Sequence, residues 1–465
     1  MKIVLLVPDG MGFRNFLLTT VLERLAARDT VVVWHALPAA IVEATRPVRS
    51  GQVQPVVLPP YAEGAAARIL RQAKIYAQIY HHAERDAGEV LLAFRRPSRA
   101  WRPRLVATAA RTLGHLFASG AGAGRLHRWH ARAVRGRSLT AARAWLEQAR
   151  PDVVLSTHQR ASRAVPAMLA ARRLGIPSAT CVYSWDNLPK GRMAVHADHV
   201  LVWSAAMRQE LLRYEPERDP SSVHVVGTPQ FGPHFERQHL LARQVFLDRH
   251  RLEQTRPVLC FSGDDRATSP HDPLYLRDLA ETLATVPRAA RPQILFRPCP
   301  VDDAERYRAV LDAHPEIAFS PPRWQSGRGD WTTILPTDED QALFANVVAH
   351  CDGVINVGST VAMDFAIKDK PGIFLAYNPP GAGDWDVGRL YRLPHFATVH
   401  RLEPVHWVTR REQLGPVVLD ALAHPAARQA ARQAWLAAAV AQPLEHADRR
   451  FAQALHRIAA RRQAP

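Results

Sequence analysis

What most constrains this chain is an alternation, sustained from its first residues, of short β-branched runs with longer stretches whose apolar residues recur at helical spacing. Parallel α/β units need that alternation, because each strand is buried on both faces and each crossover helix buries one. Strands are expected at residues 2–7, 30–34, 152–156, 178–183, 199–203 and 223–226. Helices are expected at 15–27, carrying Phe16, Leu17, Val21, Leu22 and Leu25 on one stripe, at 65–85, and at 162–174, where Gly175-Ile176-Pro177 ends the helix. A second series begins at Pro257, with strands expected at 258–261, 294–296, 317–319, 332–335, 353–357 and 372–375. The 465 residues exceed what one core organises. The prediction is an α/β chain of two Rossmann-like domains facing across a cleft, residues 1–255 and 256–465, with the turn-rich stretch Gly227 to Pro233 leading into the linker and a helical tail over 426–464.

Charge is distributed unevenly. The net charge is +17, and between Glu89 and Glu147 no acidic residue interrupts twelve arginines. They are Arg95, Arg96, Arg99, Arg102, Arg104, Arg111, Arg125, Arg128, Arg132, Arg135, Arg137 and Arg143, and large apolar residues such as Phe94, Trp101, Leu105, Leu116 and Trp129 lie among them. Arginine mixed with large apolar groups suits an anionic membrane surface, to which each basic residue contributes about 1 kcal/mol; a solvated basic face is the alternative. No nucleic-acid-binding module is recognisable. No apolar run approaches the ~20 residues of a spanning helix, and Ile3 to Val7 is too short for a signal-peptide core. A cytoplasmic protein, peripheral on the inner face of the membrane, is expected. Cys181, Cys260, Cys299 and Cys351 lie far apart and are expected as thiols. The scattered histidines His81, His82, His196, His199, His350 and His395 form no metal-ligand spacing, so no metal is predicted.

In open parallel sheets, ligands bind beyond the carboxyl ends of strands. After the 353–357 strand, Gly358, Ser359 and Thr360 precede a helix, a combination of free backbone N–H groups and hydroxyls suited to phosphate, with Asp364 one turn on to accept from sugar or ribose hydroxyls. Helix capping by Ser359 and Thr360 is the structural alternative. Ser262, Gly263, Asp264 and Asp265 follow the first strand of the second half, and Arg297 leaves the next, fixed by Pro298, where it can pair with phosphates. In the first half, Asp9 lies in the loop Pro8 to Asn15, whose Gly10 and Gly12 allow close approach; Arg14, Asn15 and, further on, Lys190 are candidates for an anionic acceptor or phosphate.

The run Asn356-Val357-Gly358-Ser359-Thr360 through Asp364 to Lys370-Pro371-Gly372-Ile373 resembles the donor-binding segment of GT-B glycosyltransferases, in the UDP-glycosyltransferase/glycogen phosphorylase-like superfamily. Arg297-Pro298-Cys299-Pro300 and Ser184-Trp185-Asp186-Asn187-Leu188-Pro189-Lys190-Gly191 look like the Arg-Pro-His-Pro and Trp-His-Gly-x-Pro-x-Lys elements of CDP-glycerol glycerophosphotransferases, with Cys299 and Asp186 where that group has histidine. Bacterial surface-polysaccharide glycosyltransferases with Trp-Asp-Asn in that loop are a nearer resemblance. It implies sugar transfer from a nucleotide-sugar substrate, without a separate cofactor or catalytic metal, to a hydroxyl acceptor that is lipid-linked or a polysaccharide precursor. Asp186, at the position of the family histidine, is the expected base and suits inversion; Asp9 is the rival. A loop-shaping turn at Asp186 and Asn187 remains the structural alternative. A CDP-glycerol-type transferase and a non-catalytic membrane adaptor on the same scaffold are the alternative functions.

Overall fold

The computed structural model describes residues 1–95, 100–325 and 334–460. Arg96 and Arg99 of the basic run, residues 332 and 333 of one expected strand, and the end of the expected C-terminal tail lie outside them. The chain forms two compact units: Met1–Gly232 together with the chain from Ala439 on, and the stretch from Pro233 to Ala438 apart from a short segment ending at Leu335.

In the first unit the described strands are β1 (Lys2–Val7), β2 (Thr30–His35), β3 (Val53–Val57), β4 (Val153–Ser156), β5 (Ser178–Cys181), β6 (His199–Val202) and β7 (Val223–Val225). They form one sheet in the order β3-β2-β1-β4-β5-β6-β7, every neighbour parallel. Its central strand is covered on both faces, which is why Ile3, Val4, Leu5 and Leu6 are all fully buried in an unbroken apolar run. Chain order reverses between β1 and β4, the kind of position beside which ligands bind in open α/β sheets.

The second unit repeats the scheme with β8 (Val258–Ser262), β9 (Gln293–Arg297), β10 (Ala318–Phe319), β11 (Gly353–Asn356), β12 (Gly372–Leu375) and β13 (His406–Val408), in the order β10-β9-β8-β11-β12-β13. Its reversal falls between β8 and β11.

Most of the basic stretch is helical. Helices Trp101–Leu116 and Gly120–Ala133 pack on Ala65–His81 around Ala73, Tyr76, Ala77, Ala110, Ala123 and Leu126. Gly114 permits the close crossing, since a Cβ there would lie 2.4 Å from Tyr76 Cβ.

Several elements differ from the sequence expectation. The helix expected at 15–27 is a π-helical turn, Phe13–Leu17, followed after a break by the helix Thr20–Ala26. Strands β3 and β13 were not anticipated: Pro55 removes a backbone donor from β3, which is tolerated because β3 is an edge strand, and β13 has only three residues. Division between the units falls at Gly232/Pro233 rather than near 255. The helix Ala447–Ala460 packs on Thr20–Ala26 of the first unit, where Asp448 pairs with Arg24 and Phe451 meets Phe16 edge-on at 5.3 Å.

Candidate functional site

Polar residues of the first unit gather where β1, β4 and β5 end. Asp9, two residues beyond β1, caps the turn Gly10–Gly12 by accepting the Gly12 N–H at 3.1 Å. Its second oxygen is hydrogen-bonded to Nδ1 of His158, two residues beyond β4. Gly12 makes this approach possible, because a Cβ at that position would stand 2.1 Å from Thr157 Oγ1. Burial pushes the Asp9 carboxyl up, but the charge and hydrogen bond of His158, with the N–H groups of Gly12 and Met11, more than offset it and hold the group below the usual carboxylate range. Asp9 is therefore an ionised carboxylate locked onto an imidazole.

Tyr183 lies edge-on to the His158 ring at 4.1 Å. Gln159 ties this loop to the one after β5: its amide donates to Asn187 Oδ1 at 3.3 Å, and its carbonyl accepts the Tyr183 N–H at 3.3 Å. Asp186, the expected base, is engaged within its own loop. One oxygen accepts from Ser184 Oγ at 2.6 Å and Asn187 Nδ2 at 2.9 Å, and the other is ion-paired to Lys190. That is the loop-shaping alternative, and it also occupies Lys190. Asn15 is buried inside the π-helical turn, with Oδ1 lacking a hydrogen-bond partner among the described residues; Arg14 is half-buried on the same turn.

In the second unit, the loops at the β8/β11 reversal meet. Gly358 has φ +72°, which glycine adopts without strain, and a Cβ there would meet Phe396 Cζ at 2.7 Å. Asn356, fully buried at the end of β11, accepts the Ser359 N–H at 2.9 Å and keeps its Nδ2 without a partner among the described residues. Thr360 occupies the capping position of the helix Val361–Ile367, yet its side chain makes no capping hydrogen bond. The Ser359 hydroxyl lies against the carboxyl of Asp264, whose Oδ2 is buried and unpartnered among the described residues. Burial, with the neighbouring charges of Asp272 and Asp265, pushes the Asp264 carboxyl well above the usual range. Burial also moves Asp272 up to about 6, against the hydrogen bonds of Ser269, Asp264 N–H and Tyr307 and the charge of Arg306. Gly263 is needed between them, since its Cβ would stand 2.8 Å from the Tyr307 hydroxyl. Ser262, at the end of β8, is buried.

Two expected donor ligands are already held by protein partners. Asp364 Oδ1 is hydrogen-bonded to His234 Nε2 at 2.6 Å, so one oxygen of this carboxylate is engaged by a buried imidazole. Arg297 donates through Nη2 to both oxygens of Asp340 at 2.9 Å and stacks over Phe344 at 5.2 Å. Only its buried Nη1 lacks a partner among the described residues. Arg297 thus anchors the helix Asp338–His350 to β9 before it can serve a phosphate.

Residues missed from the sequence include His158, His234 and Asp340. His158 had a usable signal, since it follows a confidently bounded strand in the very class of loop searched for ligands. His234 lies in the turn-rich stretch read only as a linker approach, and nothing local marks Asp340 as the partner of a residue 43 positions earlier. Among the described residues no group of three or more His, Cys, Asp or Glu side chains is arranged to hold a metal ion, and no helix is long and apolar enough to cross a membrane.

No protein-family model matches the sequence, and no curated protein sequence does. Solved structures match over nearly the whole chain. A glycosyltransferase from Rickettsia africae aligns with TM-score 0.51 and 11% identity over 98% of both chains. A UDP-GlcNAc 2-epimerase from Neisseria meningitidis, solved with UDP-GlcNAc, aligns at 0.50 and 10% over 98% of this chain and 100% of its own. The S. aureus protein MnaA, solved with UDP, aligns at 0.53 and 10% over 97% and 94%. At such identities the likeness establishes the fold: two Rossmann-like units of the GT-B type.

Proposed function

We propose that this GT-B-fold chain is a glycosyltransferase, which binds a nucleotide-sugar donor at the β8/β11 reversal of its second unit and activates an acceptor hydroxyl at the β1/β4 reversal of its first. The observation that carries the reading is the meeting of Asp264 with Ser359 across a glycine-bounded loop pair at a topological switch point. A diphosphate there would find the hydroxyls of Ser359 and Thr360, backbone N–H groups, and a protonated carboxyl at Asp264 that donates a hydrogen bond where a carboxylate would repel. Gly263 and Gly358 let these loops pack closely against Tyr307 and Phe396. Arg297 and Asp364 shape this pocket through Asp340 and His234.

For the acceptor, the Asp9–His158 pair is a better base than Asp186. The ionised Asp9 fixes the imidazole and stabilises the imidazolium formed when it takes the hydroxyl proton, whereas Asp186 is committed to Ser184, Asn187 and Lys190. The leaving nucleoside diphosphate departs as an anion to the donor loop. Transfer proceeds without a resident metal in this reading. Membrane association is part of the proposal: Trp101, Leu105 and Leu116 on the helix Trp101–Leu116 are 66%, 61% and 73% exposed beside Arg102 and Arg104, as an interfacial helix requires.

One of the solved neighbours bears the name of a 2-epimerase and another was solved with UDP, so the experiment separates transfer from epimerisation. Purified protein is incubated with a panel of UDP-, dTDP-, GDP- and CDP-linked donors, with and without membrane lipid extract. Release of nucleoside diphosphate together with a glycosylated lipid supports transfer. An isomerised sugar nucleotide formed without acceptor would replace transferase by epimerase, and absence of thermal stabilisation by every nucleotide, where about 2.7 kcal/mol is due at a hundredfold excess over Kd, would end both.

A further inference from the structure

A second cavity, about 640 Å³ in volume, opens in the first unit between helix Ala65–His81, helix Trp101–Leu116 and the loops after β4 and β5. Five cations line it: Arg95, Arg104, Arg111, Arg160 and Lys190. Among the described residues no acidic one does. Apart from Gln72 and Thr108, the rest of its wall is apolar or aromatic, with Tyr76, Leu91, Phe94 and Pro103 prominent.

Lys190 in this wall is ion-paired to Asp186, but the arginines are treated differently from others of the same unit. Arg71 is paired with Glu63 at 2.7 Å, Arg218 with Glu215 at 2.7 Å, and the buried Arg192 with Glu215 and Glu217. In the cavity, neither Arg104 nor Arg160 has a hydrogen-bonded or ion-paired side-chain partner among the described residues. Arg95 lies over the Tyr76 ring at 5.4 Å, and Arg111 is held by Nε to the Tyr80 hydroxyl at 2.7 Å. Burial and the charge of Arg160 lower Arg95 to about 10, the direction expected where cations crowd without an anion between them. A phosphate supplies what is missing, since its oxygens accept from several guanidinium forks at once.

Position gives the cavity its use. Arg160 is the second residue after His158, and Lys190 lies in the loop that Gln159 ties to the His158 segment through Asn187. One wall of the cavity is therefore continuous with the Asp9–His158 pair. The opposite wall is the helix Trp101–Leu116, whose other residues Trp101, Leu105 and Leu116 are exposed apolar groups. About 640 Å³ is far more than one phosphate needs and falls within the range of pockets for drug-sized ligands.

We propose that this cavity binds the phosphate or diphosphate head of a single-chain amphiphile, with the apolar part against Tyr76, Leu91 and Phe94, and thereby presents a phosphorylated lipid as acceptor to the Asp9–His158 pair. The word acceptor rests on the glycosyltransferase reading; the binding site does not. The site is tested with the full chain by fluorescence titration and thermal shift, using dodecyl phosphate below its micelle concentration, inorganic pyrophosphate, uncharged dodecyl maltoside, and vesicles of phosphatidylcholine with phosphatidylglycerol. Dodecyl phosphate is expected to bind at least about tenfold more tightly than pyrophosphate, and maltoside not to bind, because head and chain both contribute. R160E, and separately the exposed R104E, each weaken dodecyl phosphate by about tenfold or more while leaving nucleotide stabilisation unchanged. Equal binding by wild type and both variants, binding of maltoside as tight as that of dodecyl phosphate, or a response to vesicles alone overturns the proposal, the last in favour of a plain surface contact. A lost nucleotide response with intact dodecyl phosphate binding would sink the transferase and leave this site standing.

Discussion

Lys74 is fully buried in the first unit, and its ammonium donates to His127 Nδ1 at 2.9 Å, His130 Nδ1 at 3.2 Å and the Ala194 carbonyl at 3.2 Å. His196 Nε2 meets His130 Nδ1 at 2.9 Å and donates to it, so His127 and His130 serve as neutral acceptors in a buried cluster faced also by Arg71, Arg192, Glu63 and Glu215. Burial, then the charges of Lys74 and Arg71, lower His130 from 6.5 to about 2. A folded-state pKa below the unfolded one stabilises the protein above the unfolded value, and that stability is lost as pH falls from 6.5 toward about 2. The loss runs at about 1.4 kcal/mol per pH unit, or about 2 kcal/mol by pH 5 for His130 alone. Glu210 and Asp272, raised to about 7 and about 6 by burial, act in the opposite sense over part of this range, so the total curve is not diagnostic. The difference between wild type and His130→Asn is. Asn retains an acceptor for Lys74 but cannot titrate, so urea unfolding should show a deficit of roughly 2–4 kcal/mol at pH 7.5 that narrows by about 2 kcal/mol at pH 5. An equal deficit at both pH values would refute the assignment of a neutral, proton-excluding His130.

Three further outcomes follow from the two switch points. His158→Ala and Asp9→Asn should each lower the transfer rate by ~10²–10⁴ while nucleotide-induced stabilisation stays at the wild-type level, as measured by product formation and thermal shift. Gly358→Ala forces a side chain into φ +72° and against Phe396, and should cost roughly 2–3 kcal/mol in chemical denaturation and weaken nucleotide binding. Because the Asp264 proton is retained well above the usual carboxylate range, nucleotide affinity measured by calorimetry should fall as rising pH removes it; Asp264→Asn should flatten that dependence.

Much of the fold could be read from the chain because a parallel sheet writes its strands as unbroken apolar runs. Ile3 to Val7, Val153 to Leu155 and Val354 to Ile355 are buried on both faces and bounded by turn residues, so period and length identify them. Edge strands carry weaker signals: β3 contains a proline and β13 has three residues, and each needs only one neighbour. The return of Ala447–Ala460 to the first unit had no local mark either, since its fit depends on Phe16 and Arg24, more than 400 residues away.

The site was legible as a set of loops and not as a set of pairs, and the reason is topological. At a switch point the two loops that converge follow strands adjacent in space but distant along the chain: Asp9, after β1, meets His158, after β4, at a separation of 149 residues, and Asp264, after β8, meets Ser359, after β11. A reading of one loop at a time assigns roles to residues by type and position, and so favours Asp186, which stands where the motif that the loop resembles carries histidine. Chemistry, however, is decided by what each carboxylate faces. Asp186 faces Ser184, Asn187 and Lys190 within its own octapeptide, and those contacts hold its two oxygens within the loop. Asp9 faces an imidazole from another strand, an arrangement in which the carboxylate orients the ring and stabilises the imidazolium formed when it takes a proton. If Asp186 were nonetheless the base, Asp186→Asn would abolish transfer while His158→Ala spared it, the reverse of the pattern that a base supplied jointly by β1 and β4 demands.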